Sequence, residues 1–451
     1  MDNKKTIQIP SGAAEILRVL ETGGYEAFVV GGCVRDSLLG RNPNDWDITT
    51  SARPEEVKAL FRRTIDTGLK HGTVTILRHG QAYEVTTYRI DGEYLDGRHP
   101  SDVTFTASLE EDLKRRDFTI NAMAYSESAG LKDFFGGLSD LEKGVIRAVG
   151  DPAKRFGEDA LRIMRAVRFA AQLDYDVDPE TVRAMKELAP TLSRISAERI
   201  AAELEKTILS PHPEKLRMAR ECGITAVILP EFDRCMETPQ NNPHHCYNVG
   251  EHTIRSMMNV RPDKVLRLTM LMHDFGKPAC RTTDEKGIDH FYGHPAVSAD
   301  MADNILRRLK YDNDTRKSVV KLTREHDRCV RLTEPGIRKA VIEIGEDLFP
   351  LWVEVKEADT LAQSLYRRQE KMDYLEKIQT VYGRILERGD CISLKDLAVT
   401  GNDLIAAGVP KGKEIGSLLR KMFQDVVDVP SHNDRDYLLK KYLPPVKAGD
   451  D

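Results

Sequence analysis

Asp45 and Asp47 stand two residues apart in the segment Asp-Trp-Asp-Ile-Thr-Thr. On an extended strand that spacing puts both carboxylates on one face. There they repel each other unless a cation lies between them. Mg²⁺ suits such a pair, because it takes one or two carboxylates and completes its shell with water and phosphate oxygens. Alone, the pair reads more readily as the end of a solvated strand. Its company changes that: Gly31 and Gly32 let backbone come close to a phosphate, and Arg35, in the turn that follows, can grip phosphate oxygens bidentately. Glu84, on a later β segment, is a candidate third carboxylate or a surface strand residue.

A second set of metal-ligand types lies in the C-terminal half: His252, His273, Asp274, His294, His326 and Asp359. His273 and Asp274 end the apolar run Leu-Thr-Met-Leu-Met, just before a Gly and a Pro, where adjacent side chains can turn toward one cation. Imidazole with carboxylate suits Mn, Ni, Co, Fe or Zn better than Ca. His290 and the pair His244 and His245 fit the series less well and read as structural or surface residues.

The elements that must position these groups follow from periodicity. Up to Asp151 the pattern mixes α and β. Glu-Ala-Phe-Val-Val is a short strand running into the two glycines, and Val-Arg-Asp-Ser-Leu-Leu-Gly begins a helix. Asp-Trp-Asp-Ile-Thr-Thr reads as a strand, and Thr73 to Arg89 reads as a hairpin around His79-Gly80. From Pro152 onward the period changes from 2 to 3.6. Phe156 to Leu173 reads as one amphipathic helix, with further helices almost to the end. The expected plan is a head at 1–151, a helical neck at 152–238, a metal-binding helical region at 239–365 and a helical tail at 366–451. The Pro- and Asn-rich stretch 236–245 reads as a linker, and Tyr94 to Phe105, rich in turn residues, reads as a mobile loop.

Composition sets limits on this plan. The chain has 451 residues, too many for one ordinary domain, and 40% of them are hydrophobic. The net charge of −5 argues against a uniformly basic coat but leaves room for a local basic groove. Seven scattered cysteines without a Cys-x-x-Cys pair suggest reduced thiols and a cytoplasmic location. No apolar run is long enough to span a bilayer.

Three blocks carry a family resemblance. They are Gly-Gly-Cys-Val-Arg-Asp with Leu-Leu-Gly and Asp-x-Asp, then Arg-Arg-Asp-Phe-Thr-Ile-Asn-Ala-Met-Ala-Tyr from Arg115, then Gly144 to Leu173. In that order they resemble the class II tRNA nucleotidyltransferases, the CCA-adding and poly(A)-polymerase family of the polymerase-β-like superfamily. The resemblance implies an α/β nucleotidyltransferase head followed by an all-α neck, a helical metal-binding region and a tail. It also implies Mg²⁺ on Asp45 and Asp47, with Gly32, Arg35 and Arg116 on the nucleotide. tRNA, CTP and ATP are the implied partners, with addition of C, C and A as the implied activity. Addition of A alone, of CC alone or of a poly(A) tail is the alternative within the family.

Within the third block Asp159 and Arg162 are neighbours if both lie on a helix. A plain salt bridge is one reading. The other is base selection: cytosine and adenine each present an amino donor beside an unprotonated ring nitrogen, whereas uracil and guanine present the reverse. A carboxylate only accepts and a guanidinium only donates, so this pair matches C or A. A mismatch leaves a buried polar group unpaired, on the order of 1–3 kcal/mol. Arg162, Arg165 and Arg168 form a ladder of like charges, which an anion such as a triphosphate or RNA backbone would neutralise.

The histidine series resembles the HD phosphohydrolase superfamily, which implies a metal-dependent hydrolase or a degenerate scaffold. A hydrolase that keeps only a vestigial head is the rival from another class, and a non-catalytic RNA-binding module is a third. Lys411 and Lys413 flank Gly412 at an expected helix start, a place that can offer N–H groups to a phosphate; in this family the tail implies contact with RNA. A monomer or a homodimer is expected.

Overall fold

The computed structural model describes residues 6–92 and 103–443. The expected loop at 94–105 therefore lies outside the described residues, apart from its last three. The chain divides into two compact units, Met1–Pro230 and Glu231–Asp451. Among the described residues no helix is long and apolar enough to cross a membrane.

The first unit is built on a seven-stranded mixed sheet. Its N-terminal elements are α1 (Ser11–Thr22), β1 (Ala27–Val30), α2 (Gly32–Leu38), β2 (Ile48–Thr50) and α3 (Pro54–Leu60). There follow β3 (Thr64–Gly68), β4 (Thr73–Arg78), β5 (Gln81–Thr87), the outlying pair β6 (Arg89–Asp91) and β7 (Val103–Phe105), and α4 (Leu109–Lys114). β8 (Met123–Ser126), β9 (Gly130–Asp133) and α5 (Gly137–Lys143) complete the head. The strand order is β3-β4-β5-β2-β1-β8-β9. β2 runs parallel to β5 and antiparallel to β1.

The expected hairpin is present. Its turn residues His79 and Gly80 have φ 49 and 78°, the left-handed geometry that lets a two-residue turn follow the strand twist. Phe28, Val30, Ala122 and Ala124 pack with Tyr88, Leu109 and Leu113 beneath the sheet.

The helical continuation differs from its sequence pattern at one place. α6 (Pro152–Glu158) and α7 (Leu161–Leu173) are separate helices, because Asp159 leaves helical geometry at φ −144°, ψ 103°. Its carboxylate instead accepts the N–H of Leu161 at 3.0 Å, capping the new helix. β10 (Val145–Ile146) and β11 (Asp176–Val177) form a small parallel pair. α8 (Pro179–Leu188), α9 (Ala197–Ile208), α10 (Leu216–Glu221) and α11 (Ile224–Ile228) follow, with α9 packed on α7.

The second unit is helical. α12 (Pro230–Glu237) leads into it, followed by α13 (Val249–Met258), α14 (Lys264–Met272) and α15 (Lys277–Cys280). The short pair β12 (Thr282–Thr283) and β13 (Asp289–His290) precedes α16 (His294–Arg308) and α17 (Asn313–Glu325). α18 (Glu334–Ile344), α19 (Phe349–Ala362) and α20 (Arg368–Glu387) share a core around Trp352 and Phe349. α21 (Gly401–Ala406), α22 (Lys413–Asp428) and α23 (Arg435–Tyr442) close on a separate cluster around Leu404, Met422 and Leu438. The expected linker at 236–245 is irregular but not a free spacer. Asn241 N–H donates to Asp289 at 2.9 Å, and Gln240 accepts from Lys277 at 2.8 Å.

Candidate functional site

β1 ends where Gly31 turns the chain at φ 83°. That turn also ends the pairing of β2, which is shorter than its sequence suggests. Asp47 is the last residue held, its carbonyl accepting Val30 N–H at 3.0 Å, and Asp45 precedes the ladder. Both carboxylates nonetheless open into one cavity of about 540 Å³. Its walls include Gly31, Gly32, Arg35 and Asp36 from the head turn, Arg116, Asp117 and Asn121 from the loop before β8, and Arg165, Arg168 and Phe169 from α7.

Asp45 and Asp47 are exposed in this cleft, and no hydrogen bond or ion pair to either carboxylate is present among the described residues. Desolvation by the surrounding protein pushes the pKa of Asp47 above the usual carboxylate value; Arg116 opposes that shift and Asp45 adds to it. Two unpartnered carboxylates with mutual repulsion fit a divalent cation. Glu84 does not join them. It is exposed on β5 and absent from the cavity wall.

The arginines are held in place. Arg35 donates to both oxygens of Asp36 at 2.9 Å and to Asn121 Oδ1 at 2.6 Å. Asn121 donates to Asp117 at 3.1 Å, and Arg165 Nε donates to the other Asp117 oxygen at 2.7 Å. Arg35, Arg165 and Arg168 also surround the Phe169 ring, with guanidinium carbons 5.0, 5.3 and 4.3 Å from its centroid. A buried aromatic face attracts cations and sets their spacing. Arg116 faces Asp112 at 3.9 Å, while its Nε has no hydrogen-bond partner among the described residues.

Two sequence expectations are corrected here. The ladder of Arg162, Arg165 and Arg168 does not await an anion, because Glu158, Asp117 and Glu203 each neutralise one of the three. Asp159 and Arg162 are not paired with each other either. Asp159 holds Arg199 at 2.7 Å; Arg162 holds Glu158 at 2.7 Å and the Arg155 carbonyl at 3.0 Å. The break at Asp159 separates the two side chains, and neither lines the cavity. Asp117, Asn121, Phe169 and Lys206 were not singled out from sequence. The first two stand inside the Arg115–Tyr125 block and Phe169 inside the Gly144–Leu173 block, whereas no motif marks Lys206.

The histidine series converges in the second unit. His252 comes from α13, His273 and Asp274 from the end of α14, His294 from the start of α16, His326 from the end of α17 and Asp359 from α19. All six are buried. His252 Nε2 lies 2.9 Å from Asp359 and 3.3 Å from His273 Nε2. His294 Nε2 lies 3.2 Å from His326 Nε2 and 3.3 Å from Asp274 Oδ1. His273, His294 and His326 each place Nδ1 2.7 Å from a backbone carbonyl three residues earlier. A carbonyl only accepts, so Nδ1 carries the proton and the Nε2 lone pair points inward.

Lone pairs at such distances repel unless a proton or cation separates them. Although burial opposes their charge, Asp274 and Asp359 stay well below the usual carboxylate range. His273 and Lys277 hold the first anionic and His252 the second. Asp274 thus stands between two ligand sets, His252 with His273 and His294 with His326, a donor arrangement that fits transition metals. Lys277 Nζ stands 2.7 Å from Asp274 Oδ2, an ion pair on an oxygen that has no hydrogen-bond donor among the described residues.

A cavity of about 290 Å³ opens beside these ligands, and His245 and His290, both half-buried, stand in its wall. Burial, with Lys277 and His252 nearby, pushes His245 down to about 2, so it is neutral. Lys411 and Lys413 are exposed at the start of α22.

Known proteins resemble this chain throughout. Residues 27–147 match the Poly A polymerase head domain, 174–236 a domain described as an RNA and SrmB-binding site of polymerase A, and 283–442 tRNA nucleotidyltransferase domain 2. The CCA-adding enzyme of Levilactobacillus brevis is 36% identical over 429 residues, covering 95% of this chain and 96% of that protein. That of Leuconostoc mesenteroides is 54% identical over 208 residues, which span 46% of this chain and 52% of that protein. The crystal structure of the Bacillus stearothermophilus CCA-adding enzyme in complex with CTP superposes with a TM-score of 0.70 at 31% identity, over 96% of this chain and 98% of the other.

Proposed function

The chain belongs to the CCA-adding enzyme family, and from that premise we propose that it adds C, C and A to the 3′ end of tRNA from CTP and ATP, releasing pyrophosphate. The observation that carries this is the unpartnered pair Asp45 and Asp47 in one cavity with four arginines. The tRNA 3′-hydroxyl attacks the α-phosphate, and pyrophosphate leaves. A divalent cation on the two aspartates, Mg²⁺ for this oxygen donor set, supplies hydroxyl activation and charge neutralisation. Arg35 and Arg116 orient the phosphates, and Gly32 lets the backbone approach them. Arg165 and Arg168 are held in place by Asp117 and Glu203, so their donors are positioned before the nucleotide arrives.

Base selection by Asp159 and Arg162 requires exchange of their present partners, Arg199 and Glu158. This is a rearrangement rather than a preformed template. Lys411 and Lys413 are assigned to the RNA backbone. The protein acts in the cytoplasm, where its free thiols stay reduced.

A second activity is favoured by the convergence of five further ligand-type side chains on Asp274. His252, His273, Asp274, His294, His326 and Asp359 would hold a transition metal, which would supply an activated water for hydrolysis of a phosphate ester in the adjoining cavity. The experiment for the main activity is primer extension on tRNA ending before CCA, at C and at CC, with each nucleotide separately. Asp45→Ala and Asp47→Ala abolish addition without altering the circular dichroism spectrum. A folded variant that extends at the wild-type rate would sink the assignment.

A further inference from the structure

Every guanidinium that lines the head cleft has a carboxylate within ion-pair distance: Asp36 for Arg35, Asp112 for Arg116, Asp117 for Arg165 and Glu203 for Arg168. An incoming phosphate must compete with these carboxylates or find a cation that has none. Lys206 is that cation. It lines the same cavity from α9 and is exposed, and no ion pair or hydrogen bond engages its ammonium among the described residues.

Its helix is firmly placed. Leu204 and Thr207 are buried on either side, and Glu203, three residues earlier, ties α9 to Arg168 of α7 at 3.0 Å. The base of the lysine is therefore fixed, while its four-carbon stem is free to extend into the cleft.

We propose that Lys206 binds a phosphate of the reacting complex. That phosphate belongs either to the triphosphate of the incoming nucleotide or to the terminal phosphodiester of the tRNA. The assignment rests on the nucleotidyl-transfer reading above. Gln172, half-buried on the same wall, adds a neutral amide beside that charge.

The test is steady-state tRNA extension by wild type, Lys206→Ala and Lys206→Arg, varying CTP and tRNA independently. Loss of a charged hydrogen bond to phosphate raises one KM by about 10-fold in Lys206→Ala, with kcat changed less, and Lys206→Arg restores it. A rise for CTP alone assigns the triphosphate. A rise for tRNA alone, with the salt dependence of binding shallower by about one phosphate contact, assigns the RNA backbone. Unchanged KM for both substrates overturns the proposal. So does a fall in kcat or thermal midpoint that arginine does not restore, because that marks a structural role. A wild-type protein that fails to extend tRNA overturns the nucleotidyl-transfer reading, and this assignment with it.

Discussion

Replacing Asp117 by asparagine tests how the head cleft is held together. One oxygen of this buried carboxylate accepts Phe118 N–H at 2.8 Å and Asn121 at 3.1 Å. The other accepts Arg165 Nε at 2.7 Å. Asn121 continues to Arg35, so one side chain links α2, the loop before β8 and α7. Asparagine keeps the shape but takes the anion away from Arg165. Breaking a buried ion pair costs about 3–5 kcal/mol. Arg165 is 32% exposed, and water solvates part of its charge, so the expected loss is about 2 kcal/mol. For a unit of this size that lowers the thermal midpoint of its transition by roughly 4–8 °C.

The pH dependence follows from the direction of the shift. Burial opposes the charge of Asp117, but Arg165 and Asn121 outweigh it and hold the carboxyl well below its ordinary range. A depressed folded value contributes stability above the unfolded pKa and loses it as pH falls through the folded value. The gap between wild type and Asp117→Asn is therefore constant near neutrality and begins to close below about pH 4. Urea unfolding at both pH values measures it, and nucleotide KM reports the loosened arginines. A gap under about 0.5 kcal/mol at neutral pH, the range of ordinary surface changes, refutes the reasoning. A gap that stays constant in acid does so as well.

Other perturbations follow from the same geometry. Gly31→Ala puts a Cβ 2.9 Å from Arg116 Nη1 at a positive φ, so it costs about 1–2 kcal/mol and raises the KM for CTP; an unaltered KM counts against the turn. His273→Ala weakens Mn²⁺ binding in calorimetry by at least about 10-fold while tRNA extension continues. In wild type, Mn²⁺ at 100 times its Kd raises unfolding stability by about 2.7 kcal/mol, and a metal-independent midpoint contradicts the second site. Asp159→Ala narrows the preference for CTP over UTP by about 10-fold; undiminished selectivity removes Asp159 from base choice.

Much of this site was legible because ligand chemistry is local. The spacing of Asp45 and Asp47, the glycine turn before Arg35 and the order of His252, His273-Asp274, His294 and His326 all survive as short motifs. The three blocks from Gly31 to Leu173 also identify the family. The turn at His79-Gly80 is equally local, since its backbone geometry depends on two residues. What a helix does with its charges is not local. Periodicity puts Arg162, Arg165 and Arg168 on one face, but it cannot say that Asp117 and Glu203 neutralise two of them. It reads Asp159 as helical, whereas the chain breaks there and Arg199, forty residues on, takes its carboxylate. Lys206 shows the same limit from the other side: a lysine on an amphipathic helix is unremarkable until α9 packs on α7 and sets it in the cleft wall, where no ion pair engages it among the described residues. Residue type and short spacing determine which chemistry is present. Which charges are spent and which stay free depends on pairing between distant elements, because Coulomb energy follows distance in space and the shape of the packed chain sets that distance.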